Sequence, residues 1–339
     1  MTIKPAKERG KVDVEFNPQA EPRIADAFLK GWRSVPQVKI KKILGTTDFS
    51  ELSMEAVEYA VALANEFEAS LSLIHVVQPS PSVSGLEGVV LVRSDDEIVR
   101  LQKKHLSRTA RSLSRKGRKI MPLVRYGKPF REITSEAAKQ KTDLVVIGTR
   151  GHTGLKRVLL GSTAEWVVRH APCAVLTVPA ETANRLAGKR WTSGIKKIVV
   201  PIDFSETSAK ALPYAVALAR SFRAEVLLVH VTEAFRAPEN SSYLPAGRMK
   251  TAANRAAEEM LSHVQREAFS ENIRSEAIIR SGTPFHEITR AAVRAKADLI
   301  ILTTHGRTGL KHALLGSTVE RVVRHAKCPV MVVRDTNHN

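Results

Sequence analysis

Short apolar segments alternate with longer amphipathic segments along the first half of the chain. The short segments are rich in Val, Ile and Leu and predict β-strands, whereas the longer ones carry apolar residues at helical spacing. The predicted strands are residues 39–48, 70–77, 119–125, 142–148 and 173–178. The predicted helices are residues 51–67, 95–116, 129–141 and 162–170.

The second half of the chain repeats this order of strands and helices. Its predicted strands are residues 196–203, 225–231, 274–280, 298–303 and 328–333. Its predicted helices are residues 205–222, 250–268, 284–296 and 317–325. Pro213 lies inside the first of these helices and should kink it or delay its start towards Ser208.

A glycine-rich loop occurs twice, as GTRGHTGLKRVLLGST in residues 148–163 and as TTHGRTGLKHALLGST in residues 303–318. The offset of 155 residues also relates Asp48 to Asp203, and 20 of 31 positions are identical between residues 148–178 and 303–333. A period of this length is a complete domain with its own core rather than a solenoid repeat. The chain of 339 residues therefore contains a duplicated domain.

Strict alternation of strands and helices predicts an α/β fold in which each repeat is a parallel sheet with helices on both faces. In such sheets ligands bind at the carboxyl ends of the strands, where the direction of winding reverses. Asp48 ends the first predicted strand and Gly148 ends the fourth. If these strands are neighbours, a carboxylate and a glycine-rich loop face one crevice, where the carboxylate can hold the polar edge of a nucleoside.

The glycine loop has the composition of a phosphate-binding loop. Gly148 and Gly151 would allow close approach of the backbone to a phosphate, since a Cβ would stand between amide and ligand. Gly161, Ser162 and Thr163 begin the next helix, where unpaired amides and the helix dipole favour an anion. The same residue types also occur in strand-to-helix connections without any ligand, so a purely structural loop is the alternative.

The second repeat offers an equivalent but altered site. Its candidate residues are Asp203, Thr303, Gly306, Gly316, Ser317 and Thr318. Thr303 replaces the first glycine of the loop and adds a β-branched side chain at the point of closest approach, so we rank the first site above the second.

Composition restricts the class of protein. No apolar run approaches the roughly 18 residues that span a bilayer, and the first residues show no signal or transit peptide, so we expect a cytoplasmic protein. The two cysteines, Cys173 and Cys328, occupy equivalent places before the last strand of each repeat and are expected to be buried free thiols.

The chain is strongly basic, with 53 basic and 34 acidic residues and a net charge of +19. This balance favours anionic partners, either a nucleotide or a nucleic acid. The densest basic stretch, residues 103–119, has no aromatic residue of the kind that stacks on bases, so we interpret it as a solvated helix face.

Catalysis has less support than binding. No Walker lysine pattern, acidic cluster for two metals or evident general base adjoins the loops. His152, Lys156, His305 and Lys311 could touch phosphates, but as isolated residues near glycine they are weak signals.

At these residues the chain resembles the universal stress protein family in its tandem, two-domain form. The nucleotide-binding branch of that family has the spacing of Gly148, Gly151, Gly161 and Ser162, and further similarity lies in DFSELS at 48–53, DFSETS at 203–208 and the HV pairs at 75–76 and 230–231. The resemblance covers residues 39–178 and 196–333. It implies two tandem Rossmann-like domains of the adenine nucleotide alpha hydrolase-like type, with sheet order 3-2-1-4-5.

The resemblance also implies a ligand and site residues. Asp48 and Val76, with Asp203 and Val231, would line adenosine pockets; Thr46 stands where many members have the proline that the second repeat keeps as Pro201. The implied cofactor is ATP with Mg²⁺, bound as a regulatory ligand in the stress response, with at most slow hydrolysis or autophosphorylation. The alternative is a nucleotide-free scaffold that contacts proteins or nucleic acid.

Family members dimerise through their last strand, so residues 173–178 and 328–333 are expected to pair within this chain as an antiparallel pseudo-dimer, with the two cysteines at opposite ends. A homodimer of whole chains stays open. The expected domains are residues 39–180 and 195–335, with a linker at 181–194. The extension 1–38 is expected to be partly disordered, with a short helix at 24–32 that packs on the first domain.

Overall fold

The computed structural model describes residues 28, 30–33, 37–79, 95–114, 119–149, 160–179, 194–232, 246–269, 272–304 and 315–334. The chain folds as strands and helices in alternation, as the hydrophobic pattern predicts. The α/β class and the two tandem domains inferred from the sequence are confirmed.

The first repeat contains five strands and four helices in its described part. The strands are β1 (Lys42–Thr46), β2 (Ser70–Val77), β3 (Met121–Tyr126), β4 (Leu144–Gly148) and β5 (Ala174–Val178). The helices are α1 (Glu51–Glu66), α2 (Asp95–Leu113), α3 (Pro129–Gln140) and α4 (Ser162–His170).

The second repeat follows the same order. Its strands are β6 (Lys197–Pro201), β7 (Glu225–Thr232), β8 (Ser275–Ser281), β9 (Leu299–Thr303) and β10 (Val330–Val333). Its helices are α5 (Glu206–Ala209), α6 (Leu212–Phe222), α7 (Ala246–Ala268), α8 (Pro284–Arg294) and α9 (Ser317–His325). The single helix α1 thus corresponds to the pair α5 and α6, and Pro213 lies in the first turn of α6, where its missing N–H is tolerated.

The ten strands form one sheet in the order β3-β2-β1-β4-β5-β10-β9-β6-β7-β8. Pairing is parallel within each repeat, and β5 and β10 pair antiparallel in the middle, with Leu176 opposite Met331. The sheet therefore has the internal pseudo-dimer pairing that the family resemblance implies. Cys173 and Cys328 lie at opposite ends of this pair, and no disulfide joins them.

Two apolar cores cover the two faces of the sheet, and each contains residues of both repeats. One core holds the apolar sides of α1, α2, α6 and α7, with Leu63 and Leu218 almost fully buried. The other lies beneath α3, α4, α8 and α9, with Val167 and Val322 fully buried. Both faces of β4 and β9 are covered, which accounts for their continuous apolar sequences.

The end of the N-terminal extension packs on the second repeat, which corrects the expectation that it packs on the first. Residues 30–33 are helical. Phe28 is 1% exposed and contacts Phe204, while Arg33 forms an ion pair with Glu267 at 3.5 Å. The remaining residues of the predicted helix at 24–32, and the linker at 181–193, lie outside the described residues.

No helix in the described part of the chain combines the length and apolar character needed to span a membrane.

Candidate functional site

The switch in winding direction lies between β1 and β4, as the sequence predicts. β1 pairs with β2 on one side and with β4 on the other, with Gly45 opposite Val146. Both strands run in the same direction, so their carboxyl ends open at one edge of the sheet. Continuing this register beyond the strands brings Asp48 level with Thr149. In the second repeat Val199 lies opposite Ile300, and the same continuation brings Asp203 level with Thr304.

A hydrogen-bonded turn fixes Asp48 at this edge. The Asp48 Oδ1 atom accepts hydrogen bonds from the Ser50 amide at 3.0 Å and from the Ser50 hydroxyl at 2.6 Å. The Ser50 Oγ atom in turn accepts from the Ser53 amide at 3.2 Å and caps α1. The carboxylate is therefore oriented by the helix that follows it and is half-buried rather than mobile in solvent.

The turn at Asp203 has the same construction. Asp203 Oδ1 accepts from the Ser205 amide at 3.0 Å and from the Ser205 hydroxyl at 2.6 Å. Ser205 caps α5 by accepting from the Ser208 amide at 3.0 Å. The structure thus gives both candidate carboxylates one orientation relative to their helices.

A phenylalanine with left-handed backbone conformation follows each carboxylate. The φ angle is 66° at Phe49 and 60° at Phe204. Bulky residues seldom adopt this conformation, so surrounding contacts must stabilise it. Phe49 stacks between His75 and His105, with ring centroids 4.5 and 4.2 Å apart. The sequence did not predict these ring contacts, although the Phe of the DFSE segments and the His of the HV pairs occur in both repeats.

The strand histidines also fix the backbone before the carboxylate. His75 Nδ1 lies 2.9 Å from the Thr47 carbonyl oxygen, and His230 Nδ1 lies 2.7 Å from the Ile202 carbonyl oxygen. A carbonyl only accepts hydrogen bonds, so Nδ1 of each imidazole carries the proton and donates. Each histidine therefore connects β2 or β7 to the turn beside it.

One difference between the two turns affects their hydrogen bonds, namely Thr47 in the first and Ile202 in the second. The Thr47 Oγ1 atom accepts a hydrogen bond from the Phe49 amide at 2.9 Å and lies 3.1 Å from the Ser53 hydroxyl. Ile202 has no group that can make these bonds, so hydroxyl hydrogen bonds hold the first turn where the second relies on apolar packing.

The start of α4 lies directly beside the end of β4. The Gly161 amide donates to the Thr149 carbonyl at 2.8 Å, so these two residues are direct neighbours. Gly161 is the N-cap of α4 and supplies no side-chain hydrogen bond to the first turn. The helix N-terminus therefore points its amides towards the edge where Asp48 lies, which favours an anion there.

The second repeat has the same closure. The Gly316 amide donates to the Thr304 carbonyl at 3.0 Å, and Gly316 is the N-cap of α9, again without a side-chain cap. Gly151, Gly306, His152, Lys156, His305 and Lys311 lie outside the described residues.

The other predicted site residues occupy the strand ends and the starts of the helices. Thr46, Gly148 and Thr303 are buried at strand ends. Val76 and Val231 are half-buried near the ends of β2 and β7 and pack against the core beneath α3 and α8. The remaining predicted residues, namely Ser162, Thr163, Pro201, Ser317 and Thr318, are exposed or half-buried. The edge of each repeat thus combines a carboxylate, an apolar strand end and an uncapped helix start.

The basic helix α2 is a solvated face with one exception. Lys103, Lys104 and Arg108 are exposed, while Leu106 is fully buried against the sheet. The exception is His105, whose ring stacks on Phe49 and so belongs to the support of the Asp48 turn.

Cys173, a group with a perturbed pKa, precedes β5 and so lies at the opposite edge of the sheet. Cys328 is buried as expected, whereas Cys173 is half-buried. Desolvation nevertheless raises the pKa of the Cys173 thiol to about 12, which makes it a poor nucleophile at neutral pH. Among the residues that the structure describes, no group of three His, Cys, Asp or Glu side chains could hold a metal ion.

Comparison with known proteins agrees with this architecture. The sequence profile of the universal stress protein family matches residues 39–179 and 194–334. Universal stress protein MJ0531 of Methanocaldococcus jannaschii is 40% identical over 139 residues, which cover 41% of this chain and 81% of that protein. Universal stress protein YxiE of Bacillus subtilis is 33% identical over 145 residues, which cover 41% of this chain and 98% of that protein.

A solved structure matches both repeats together. The crystal structure of a universal stress protein from Archaeoglobus fulgidus superposes with a TM-score of 0.61 at 24% identity, covering 89% of this chain and 98% of that one. At this identity the match supports the fold.

Proposed function

The chain belongs to the universal stress protein family, and from this premise we propose that it binds an adenine nucleotide, ATP with Mg²⁺, as a regulatory ligand. The first repeat carries the stronger site and the second a weaker one. The observation that carries the proposal is the meeting of the Asp48 turn with the uncapped start of α4 at the ends of β1 and β4.

The helix start supplies the phosphate contacts. The first amides of α4 have no carbonyl partner within the helix, and its dipole is positive at this end. Ser162 and Thr163 add hydroxyl groups that can donate to phosphate oxygens. A net charge of +19 attracts a polyanionic nucleotide to the protein.

The neighbouring strand ends recognise the nucleoside. Asp48 is an acceptor held by Ser50, suited to the hydroxyl or amino hydrogens of a nucleoside. Val76 offers an apolar side chain to the base at the end of β2. The residues present thus fit a nucleotide whose base lies over β2 and whose phosphates lie at α4, while the nucleotide's own phosphates would hold Mg²⁺.

The second site is weaker because Thr303 takes the place of Gly148. A threonine at the end of β9 adds a branched side chain where the phosphate loop begins, and the backbone can approach a ligand less closely. The carboxylate turn is retained, so we propose reduced affinity rather than no binding.

Direct measurement of bound nucleotide tests the proposal. The purified protein is extracted with acid and the supernatant is analysed by nucleotide chromatography; the emptied protein is then titrated with ATP and AMP by calorimetry. Recovery near one ATP per chain supports the first site alone, and recovery near two supports both.

Two variants assign the sites. Gly151→Asp should abolish most nucleotide binding, whereas Gly306→Asp should leave most of it, because a carboxylate in the loop repels phosphate. The reverse order would overturn the ranking. Absence of bound nucleotide and of titration heat would refute the proposal and favour a nucleotide-free scaffold of the same fold.

A further inference from the structure

Three contacts attach the end of the N-terminal extension to the turn and helices of the second repeat. The Phe28 ring lies edge-on to the Phe204 ring, with centroids 6.0 Å apart and an interplanar angle of 73°. Gly31 lies against the first turn of α5, where a Cβ at this position would collide with the Glu206 carbonyl oxygen. Arg33 pairs with Glu267 of α7 at 3.5 Å.

Phe28 gives Phe204 a second ring contact, as a ring of the same domain does for Phe49 in the first repeat. There Phe49 is held between His75 of β2 and His105 of α2. In the second repeat Phe204 is held by His230 of β7, with centroids 4.6 Å apart, and by Phe28. The residue equivalent to His105 is Met260, so the second ring comes from a segment that precedes the first domain.

We propose that Phe28 is a positioning residue for the Asp203 turn, so that the site of the second domain depends on the N-terminal extension. Phe204 directly follows Asp203 and has a left-handed backbone conformation. This conformation costs free energy, which packing of rings around the Phe204 side chain can offset. Burial of Phe28 to 1% exposure supplies that packing, and contact of Gly31 with Glu206 holds the segment in place.

The dependence is confined to one of the two sites. The first turn has the Thr47 hydroxyl bonds and a ring from its own α2. The second turn has Ile202 instead of Thr47, and its additional ring, Phe28, comes from the extension. A change that releases the extension should therefore loosen the Asp203 turn and leave the Asp48 turn as it was.

Hydrogen exchange in the full-length protein without nucleotide tests the positioning role. In Phe28→Ala, amides 203–209 should exchange about tenfold faster than in the wild type, while amides 48–54 keep their wild-type rates. His105→Ala is the matched control and should give the opposite pattern. Equal rates in all three proteins, or a similar increase at both turns in Phe28→Ala, would overturn the proposal.

Two further variants separate positioning from general loss of packing. Phe28→His supplies the ring type that the first repeat uses and, at pH 8 where a free imidazole is neutral, should restore exchange at 203–209 to within about twofold of wild type. Gly31→Ala keeps Phe28 but forces the segment away from Glu206, and should reproduce the faster exchange. Failure of both expectations would show that the ring contact does not position the turn.

The consequence for a ligand rests on the proposed function and is measured separately. In a Gly151→Asp background, which leaves the second site, Phe28→Ala should weaken ATP binding at least fivefold by calorimetry, about 1 kcal/mol. Unchanged ATP affinity together with faster exchange would overturn the ligand part of the proposal. Absence of ATP binding to the unaltered chain would refute the proposed function, whereas the exchange data would still decide the positioning role.

Discussion

Ser221 donates a hydrogen bond to the carboxylate of Glu66 at 2.9 Å, and these two residues occupy equivalent positions in the two repeats. Phe67 and Phe222, the next equivalent pair, meet edge to face with centroids 6.2 Å apart. A pseudo-twofold axis therefore passes between α1 and α6. Each repeat serves as the dimer partner of the other.

The antiparallel pairing of β5 with β10, here called the joint, should be essential for the two domains to unfold as one cooperative unit. Thr177 is fully buried there and donates to the Val330 carbonyl at 3.1 Å. In Thr177→Arg a buried, unpaired charge would separate the two halves of the sheet. We expect one urea unfolding transition for the wild type and two for Thr177→Arg, with a larger radius of gyration in small-angle scattering for the variant.

Ser112→Arg, on the exposed face of α2, is the control for the joint. This variant should unfold in a single urea transition and have the radius of gyration of the wild type. A single unchanged transition in Thr177→Arg would show that the domains are held together elsewhere.

A reciprocal exchange tests why the two candidate sites differ. Gly148→Thr gives the first loop the residue of the second, and should weaken ATP binding at the first site by about tenfold or more, equal to about 1.4 kcal/mol. Thr303→Gly should strengthen binding at the second site, because the backbone regains its close approach. Calorimetric titration of both variants checks this, and no change in either would remove Thr303 as the cause of the ranking.

A buried polar network in the first repeat should be costly to break. Arg125 donates from Nε and Nη2 to Glu136 Oε2, and Gln140 donates to Glu136 Oε1. Because the Glu136 side chain is only 7% exposed, Arg125→Ala should destabilise the protein by about 2–4 kcal/mol in urea denaturation. The double variant Arg125→Ala, Glu136→Ala should recover part of this loss, since the second repeat has Ala291 at the equivalent position. A double variant less stable than the single one would contradict this interpretation.

The same network should contribute to acid sensitivity. Burial alone would raise the pKa of Glu136, but hydrogen bonds from Gln140 and Arg125 and the Arg125 charge outweigh it and hold this pKa below the ordinary value. The folded pKa is thus below the unfolded one, and the stabilisation is present above about pH 4.3 and lost as pH falls through the folded pKa. In Arg125→Ala the free energy of unfolding, measured by urea denaturation, should therefore depend less on pH in this acidic range.

Glu55 should give the opposite pH dependence. Burial, followed by the charges of Glu58 and Glu51, raises its pKa to about 6. One of its carboxylate oxygens, Oε2, is buried and has no hydrogen-bond partner in the described structure. The pKa of Glu55 is higher in the folded than in the unfolded protein. Its contribution to folding stability is therefore fully present below the unfolded pKa and is lost as pH rises through about 6.

Glu55→Gln should therefore stabilise the protein at pH 7, by less than about 1 kcal/mol because the site is partly solvated, and have little effect at pH 4. Thermal unfolding at both values checks this. The exposed Glu259→Gln serves as the control, and an equal gain from both variants at pH 7 would indicate a general effect of net charge.

The local sequence pattern and the internal repeat by themselves determined the fold class and the domain duplication of this protein. Short segments rich in Val, Ile and Leu predicted the strands, and apolar residues at helical spacing predicted the helices. The missing N–H of Pro213 predicted the break in the first helix of the second repeat. The spacing of 155 residues established the duplication, and the rule for the carboxyl ends of parallel strands selected Asp48 and Gly148.

Only the tertiary structure decided which distant segments meet. His105 is far from Phe49 in sequence, and Phe28 lies in an extension with no counterpart in the repeat, yet both supply rings to carboxylate turns. The expectation that the extension packs on the first domain was wrong because sequence adjacency does not determine spatial adjacency. The joining of two repeats across β5 and β10 brings the second domain within reach of the segment before the first, and burial of Phe28 against Phe204 then selects that position.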